Sequence, residues 1–102
     1  MNISWLTADC ENFPSVDNAL EDPNGLLAAG GDLSSKRLIT AYANGIFPWY
    51  DDDQPILWWS PNPRAVIIPS QLHCSKSLKK FIRKSALNYT FDQAFADVIN
   101  LC

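Results

Sequence analysis

The amino-acid sequence predicts a mixed α+β fold, and three observations support this prediction. Short apolar runs bounded by proline, glycine or asparagine lie at residues 3–6, 56–60 and 65–68 and have the composition of strands. Two other segments place apolar residues at helical spacing and begin at a serine that can cap a helix. The chain has 102 residues, of which 47% are hydrophobic and 19% are charged, so it can form the core of a small domain.

The N-terminal half contains an edge strand and two predicted helices. Residues 3–6 form the strand, and residues 14–20 form a short helix after a proline turn. One of two adjacent serines, Ser34 or Ser35, begins a second helix that runs to about Ala43 and ends at an Asn-Gly pair. The predicted inward face of this second helix consists of Leu38, Ile39, Tyr42 and Ala43.

Two glycine-containing turns separate these elements. Pro23-Asn24-Gly25 has the chemistry of a turn, and Gly30-Gly31 forms a second break. A glycine loop that binds phosphate is an alternative interpretation of Gly30-Gly31, but the P-loop lysine and its spaced glycines are missing from the sequence. A turn that leads into a capped helix is therefore the favoured interpretation.

The C-terminal half contains the most clearly amphipathic helix in the sequence. Ser75 is its predicted N-cap, and Leu78, Phe81 and Ile82 lie on one side when the segment is wound at about 100° per residue. Residues 88–91 are predicted to form a strand, and residues 92–102 a final helix. That last helix has no stop signal, which suggests a fragment, and its predicted buried face consists of Phe95, Val98, Ile99 and Cys102.

Charge is unevenly distributed along the chain. Residues 1–53 contain nine acidic and two basic residues, whereas residues 54–102 contain six basic and two acidic residues. No acid lies between residues 65 and 91, so the basic side of the amphipathic helix lacks acidic neighbours one turn away. The phosphate backbone of RNA is its predicted partner, and a solvated lysine face is the alternative. This basic side consists of Lys76, Lys79, Lys80, Arg83 and Lys84.

Tryptophan and proline are concentrated between residues 48 and 63. Trp58 and Trp59 are adjacent in a predicted strand, so one can fill the core while the other lies on the opposite face. Trp49 is the better candidate for binding, because the proline before it stiffens a backbone that could hold an aromatic wall. The alternative is that all four tryptophans fill the core. Arg64 is predicted to anchor a phosphate or a carboxylate, or else to pair with an upstream aspartate.

Several classes of site find no support in the sequence. Cys10, Cys74 and Cys102 are three widely spaced thiols, which argues against a disulfide framework and favours reduced cysteines. His73 and Cys74 alone cannot supply the ligands that zinc requires. The N-terminus lacks the pattern of a secretory signal, and no apolar run approaches the roughly 18 residues of a membrane span. We therefore expect a cytoplasmic protein without a metal site, and the residues alone indicate no complete catalytic set.

Four segments, taken in order, resemble the N-terminal part of the leucyl/phenylalanyl-tRNA–protein transferases. They are NGLLAAGGDLS, AYANGIFPWY, PILWWSPNPRAV and LHCSKSLKKFIRK. The resemblance extends from about Phe13 to Cys102, and the order of GGDLS, GIFPW and LWWSPxPR is highly specific.

The resemblance implies a small N-terminal α/β domain in residues 1–62 and the truncated start of an acyl-CoA N-acetyltransferase-like catalytic domain in residues 63–102. It implies an enzyme that moves leucine or phenylalanine from Leu-tRNA or Phe-tRNA to the N-terminal arginine or lysine of acceptor proteins, which marks them for degradation. No metal or redox cofactor is implied. By matching positions, Trp49 lines the aminoacyl-adenosine site, and the tRNA acceptor stem is held by Lys76, Lys80, Arg83 and Lys84.

The resemblance also places the catalytic carboxylate and glutamine of the family beyond Cys102. We therefore expect no catalytic residue within residues 1–102, no activity of this chain alone, and self-association through the final helix. Two other functions remain open from the residues. One is a non-catalytic module that binds tRNA or another RNA, and the other is a protein-interaction module whose exposed tryptophans dock a partner.

Overall fold

The computed structural model describes residues 2–10 and 12–102 and confirms the mixed α+β class. The chain divides into two compact units, one ending at Ala65 and the other running from Val66 to Cys102. None of the helices among the described residues is both long enough and apolar enough to cross a membrane.

The first unit is built on a four-stranded sheet. Its strands are β1 (Ser4–Leu6), β2 (Leu26–Gly30), β3 (Phe47–Pro48) and β4 (Leu57–Trp59), and their order across the sheet is β1-β2-β4-β3. β1 runs parallel to β2, whereas β4 is antiparallel to both of its neighbours. The predicted strands at residues 3–6 and 56–60 are confirmed. The predicted short helix at residues 14–20 is only a 3₁₀ turn, Val16–Asn18.

The central strand β2 was not predicted from the sequence. Its residues Leu26 to Ala29 are all buried, so the segment shows no alternation of apolar and polar residues. It also contains leucine and alanine rather than the β-branched residues that mark a strand. β3 was likewise expected only as a stiff aromatic segment, yet Phe47 and Pro48 pair with Trp59 and Trp58 of β4.

Trp58 is the largest side chain of the core. It is fully buried among Leu27, Ala28, Ala41 and Ile46, and its indole Nε1–H donates to the carbonyl oxygen of Gly30 at 2.9 Å. The ring of Phe13 meets it edge-on, with ring centroids 4.9 Å apart. Trp59 is only half-buried, so the prediction that one of the two adjacent tryptophans fills the core is confirmed.

Helix α1 spans Ser35–Ala43, as predicted. The hydroxyl of Ser34 accepts a hydrogen bond from the backbone N–H of Arg37, and Gly45 follows the helix with φ +71°. The predicted inward face is wrong for Ile39, Tyr42 and Ala43, which are all exposed, the first two at 71% and 64%; of the four residues only Leu38 is partly buried. Arg37 and Ala41 are buried instead.

Arg37 takes the inward position, where polar groups meet two of its three guanidinium nitrogens and Nη1 is buried without a hydrogen-bond partner among the described residues. Nη2 donates to the carbonyl oxygen of Thr7 at 2.8 Å, and Nε donates to Asp32 at 3.3 Å. Gly31 has φ +76°, and a Cβ built on it would lie 3.0 Å from the Arg37 Cζ. Gly30 is thus the last residue of β2, and Gly31 packs against an arginine of its own chain in the short connection that leads into the capped helix. The favoured interpretation is confirmed for the capped helix, whereas the break begins only after Gly30.

The second unit contains two α-helices and a 3₁₀ turn, Pro69–Gln71, and none of residues 66–102 is buried. Helix α2 spans Lys76–Lys84, and Leu78 N–H donates to the hydroxyl of the predicted N-cap Ser75 at 3.1 Å. Helix α3 spans Phe95–Leu101, which is shorter than predicted. Its predicted buried face is wrong, since Phe95, Val98, Ile99 and Cys102 are all exposed.

The two strands predicted in this unit, at residues 65–68 and 88–91, are not formed. A strand needs a neighbouring strand to accept and donate its backbone hydrogen bonds. Within residues 66–102, however, the backbone hydrogen bonds outside the helices join residues no more than four positions apart. The two segments therefore have the amino-acid composition of strands, but no segment among the described residues pairs with either of them.

Candidate functional site

Trp49 follows β3 directly and presents its indole to solvent. Its side chain is 73% exposed, whereas both of its backbone polar groups are held by β4. The Trp49 N–H donates to the Leu57 carbonyl oxygen at 3.0 Å, and the Trp59 indole Nε1–H donates to the Trp49 carbonyl oxygen at 2.7 Å. A fixed backbone and a free aromatic face are what a stacking site for a planar ligand requires.

The acidic loop after Trp49 is a closed turn. The Gln54 N–H donates to the Asp51 carbonyl oxygen at 3.0 Å, and the Asp51 N–H donates to the Gln54 side-chain oxygen at 3.0 Å. Asp51, Asp52 and Asp53 are all exposed. The Trp49 indole therefore lies next in sequence to a short negative loop, which disfavours bound phosphate on that side.

Arg64 does not take the predicted alternative of a pair with an upstream aspartate. Its Nη1 donates to the carbonyl oxygen of Gly45 at 2.8 Å, and its Cζ lies 5.4 Å from the centroid of the Phe47 ring. Arg64 thus joins the end of α1 to β3, immediately before Trp49.

The basic side of α2 is as predicted from the helical spacing. Of its five residues, the four that the resemblance assigns to tRNA binding fall within about 100° of arc, opposite Leu78 and Phe81; they are Lys76, Lys80, Arg83 and Lys84. All four cations are exposed. Arg83 and Lys84 lie in the last turn, where the helix dipole favours positive charge, but Lys76 lies at the opposite end. Helix stability alone therefore does not account for the cation at the N-terminus.

The predicted site residues fall into both units of the chain. The four cations lie together on α2 in the second unit, whereas Trp49 lies in the first. The structure thus brings the four cations together on one face of α2, and Trp49 belongs to the other unit.

Asp32 and Trp59 were missed as important residues. The pKa of Asp32 is lowered by hydrogen bonds from the Ser34 hydroxyl and backbone N–H, and further by the Arg37 guanidinium. Trp59 acts across ten positions of sequence, through its indole N–H. One feature of the sequence could have indicated Trp59. It follows Trp58 directly in a predicted strand, and adjacent strand residues lie on opposite faces.

Thiol and metal chemistry have no visible site in the part of the chain that the structure describes. The three cysteines are free and lie at exposed or half-buried positions. No group of three or more histidine, cysteine, aspartate or glutamate residues is arranged to hold a metal ion within the described ranges. One opening, with a volume of about 490 Å³, is lined by residues that include Asp17, Glu21, Asn24 and Asn62.

Comparison with known proteins matches both units to one family. A family model described as the leucyl/phenylalanyl-tRNA protein transferase N-terminal domain matches residues 31–62, and the model described as leucyl/phenylalanyl-tRNA protein transferase matches residues 66–102. A protein of that name from Pseudomonas entomophila (strain L48) is 57% identical over 100 residues, which cover 98% of this chain and 44% of the relative. Another, from Saccharophagus degradans, is 58% identical over 98 residues, covering 96% of this chain and 40% of the relative.

The chain spans less than half the length of the curated relatives it matches. The match is nevertheless continuous over nearly the whole chain, and the two models together account for most of it. The chain therefore belongs to the leucyl/phenylalanyl-tRNA–protein transferase family.

Proposed function

We propose that this chain is the N-terminal part of an aminoacyltransferase that moves leucine or phenylalanine from aminoacyl-tRNA to the N-terminal arginine or lysine of a protein. The observation that carries the proposal is the 57% identity, over 98% of the chain, with a protein named leucyl/phenylalanyl-tRNA–protein transferase. The proposed setting is the cytoplasm, where the added residue marks the acceptor protein for degradation.

Trp49 and the basic side of α2 take different parts of the donor in this proposal. The exposed Trp49 indole is a wall for the aminoacyl-adenosine end, since a flat aromatic face stacks on a base. Phosphates of the acceptor stem contact Lys76, Lys80, Arg83 and Lys84. The uncompensated positive charge of α2 supports this assignment, because no acid lies between residues 65 and 91.

The proposed reaction needs positioning more than chemical activation. The neutral α-amino nitrogen of the acceptor attacks the carbonyl carbon of the aminoacyl ester. A C–N bond forms, the C–O bond to the ribose breaks, and a proton passes from the nitrogen to the ribose oxygen. The products are the extended protein and deacylated tRNA. The donor ester is already activated, so alignment of the two substrates and stabilisation of the tetrahedral oxyanion supply most of the acceleration.

The groups that stabilise the oxyanion are proposed to lie outside residues 1–102. We propose a first domain in residues 1–62 and an acetyltransferase-like catalytic domain that begins at residue 63. More than half of each matched relative lies outside the match, which leaves room for that domain to continue. Residues 1–102 alone are then inactive in transfer.

A hybrid protein tests the proposal directly. Residues 1–102 are joined to the remaining C-terminal part of the Pseudomonas entomophila relative, and transfer of radiolabelled leucine from Leu-tRNA to a peptide with N-terminal arginine is measured. We expect transfer by the hybrid and none by residues 1–102 alone. The control peptide is identical but N-acetylated, and it should accept nothing because its α-nitrogen is no longer a nucleophile.

A hybrid that folds but does not transfer would contradict the proposal. If that hybrid still binds Leu-tRNA, the chain is better described as a non-catalytic RNA-binding module. The basic side of α2 is the observation that supports this second function. Transfer by residues 1–102, after contaminating full-length enzyme has been removed, would show that the catalytic groups lie within this chain.

A further inference from the structure

We propose that Trp59 is a positioning residue that acts through Trp49 and sets the orientation of its aromatic wall toward the aminoacyl-adenosine end of the donor. The inference rests on the proposed function of Trp49. It adds a second tryptophan to that site, one that need not contact the substrate.

The geometry that supports this proposal is a two-sided clamp on the Trp49 backbone. On one side the Trp49 N–H reaches the Leu57 carbonyl oxygen at 3.0 Å, and on the other the Trp49 carbonyl oxygen accepts from the Trp59 indole at 2.7 Å. Both bonds come from β4, and they act just past the end of β3, where sheet pairing stops. The indole bond therefore extends the β3–β4 pairing by a side-chain contact.

The register explains why Trp59, and not its neighbour, can make this contact. Phe47 pairs with Trp59, and Pro48 pairs with Trp58. Alternate residues of a strand share a face, so Phe47, Trp49 and Trp59 lie on the face opposite the core tryptophan Trp58. The indole N–H of Trp58 donates instead to the carbonyl oxygen of Gly30 inside the core. The two adjacent tryptophans thus make equivalent bonds to different carbonyl groups.

The exposure of Trp49 makes this support necessary. Its side chain is 73% exposed, so few side-chain contacts restrict the indole. An unrestrained wall would lose conformational freedom each time a ligand stacked on it, and that loss weakens binding. Pro48, the residue before Trp49, has its own φ fixed by its ring, and the Trp59 bond restrains the peptide group that follows Trp49. Together they pre-organise the wall before the donor arrives.

Trp59→Phe in the hybrid protein removes the indole N–H and keeps an aromatic ring at the position. We expect KM for Leu-tRNA to rise about threefold to tenfold, the range expected from the loss of one hydrogen bond, with kcat unchanged. Trp58→Phe is the matched control, because it removes the equivalent N–H of the adjacent residue from the core. It should lower stability and leave both kinetic constants of the folded protein unchanged.

A double-mutant cycle separates positioning from a general structural effect. In the Trp49→Ala background there is no wall to orient, so Trp59→Phe should have no further effect on KM. Effects that multiply across the two variants would overturn the proposal, as would an unchanged KM in Trp59→Phe alone.

Nuclear magnetic resonance of residues 1–102 tests the clamp without transfer activity. The indole N–H of Trp59 should exchange with solvent at least about tenfold more slowly than that of Trp5, which is 70% exposed, and the backbone amide of Trp49 should exchange faster in Trp59→Phe. If the hybrid shows no transfer, the proposed function fails and the clamp is judged on these exchange rates alone. Equal indole exchange, or an unchanged Trp49 amide, would overturn the proposal.

Discussion

At the scale of single residues, the buried and the exposed tryptophans contribute very differently to the stability of the fold. Trp58 is fully buried and bonded to Gly30, whereas Trp49 is 73% exposed. Trp58→Ala should lower the free energy of unfolding by about 3–5 kcal/mol, because it removes a buried aromatic side chain and leaves a cavity. Trp49→Ala should change it by less than about 0.5 kcal/mol. Urea unfolding followed by circular dichroism checks both, and equal losses would contradict the burial described for Trp58.

Asp32 couples stability to pH at the start of α1. Hydrogen bonds from Ser34 and the charge of Arg37 lower its pKa in the folded chain below the ordinary value of about 4. An acid with a lowered folded pKa stabilises the fold above its unfolded pKa, and that contribution is lost as pH falls through the folded value. Asp32→Asn should therefore destabilise the chain at neutral pH, and the difference should shrink below about pH 4.

Urea titrations at several pH values, followed by tryptophan fluorescence, measure this difference. Asp52→Asn is the control, since that residue lies at the tip of the acidic loop and lacks the Ser34 and Arg37 contacts. A difference between parent and Asp32→Asn that stays constant from neutral pH to pH values near 3 would contradict the assignment, because 3 lies below about 3.9, the ordinary pKa of aspartate.

At the scale of elements, the basic side of α2 offers the clearest test of RNA binding. Lys80→Glu and Arg83→Glu together should leave the fold intact, because the apolar side of α2, with Leu78 and Phe81, is unchanged in this variant. In the hybrid protein they should weaken tRNA binding by at least about tenfold and flatten its salt dependence by up to about two units of slope. Filter binding at several fixed salt concentrations measures both quantities.

The charge-reversal experiment needs a control for net charge alone. Lys36→Glu, on α1, reverses one charge outside the basic side of α2. It should weaken binding much less than either single reversal on α2. Unchanged affinity and salt slope in the double variant, with circular dichroism confirming the fold, would leave the α2 cations as a solvated face.

Elements with local signals were the ones predicted correctly from the sequence. Helices α1 and α2 carry their own caps, Ser34 and Ser75, and β4 is bounded by prolines. Strand β2 has no such marker because its identity depends on burial from both sides. The strands predicted at residues 65–68 and 88–91 fail for the converse reason, since composition cannot supply a partner strand.

The same distinction applies to the candidate site. The spacing of basic residues along one helix predicted the basic side of α2, and the proline before an aromatic residue indicated Trp49 as a binding residue. The inward turn of Arg37 and the bond from Trp59 to Trp49 depend on groups that are distant in sequence. Neither has a periodicity from which it could be predicted.

At the scale of the whole molecule, the two units differ in what holds them together. Among the residues that the structure describes, the first has a buried core of seven apolar residues and one arginine, whereas none of residues 66–102 is buried. Helices of nine and seven residues are below the length of about 12–15 at which an isolated helix becomes stable in water. The apolar side of each helix in the second unit therefore requires a cover for the helix to persist.

We accordingly expect residues 1–102 to self-associate in solution through the second unit. Exposed apolar side chains of Phe95, Val98 and Ile99 gain free energy when they leave water, roughly 25 cal/mol for each Å² that is covered. Added salt should strengthen association, because it screens repulsion between the α2 cations of neighbouring copies and leaves apolar contacts in place. Sedimentation velocity over a range of protein concentrations measures both effects. Val98→Asp should shift the chain toward monomer, whereas Ile39→Asp should not, although Ile39 of α1 is apolar and even more exposed, at 71% against 57% for Val98. A monomer at every concentration and salt level, or equal responses to the two variants, would show that the apolar sides of α2 and α3 do not drive association.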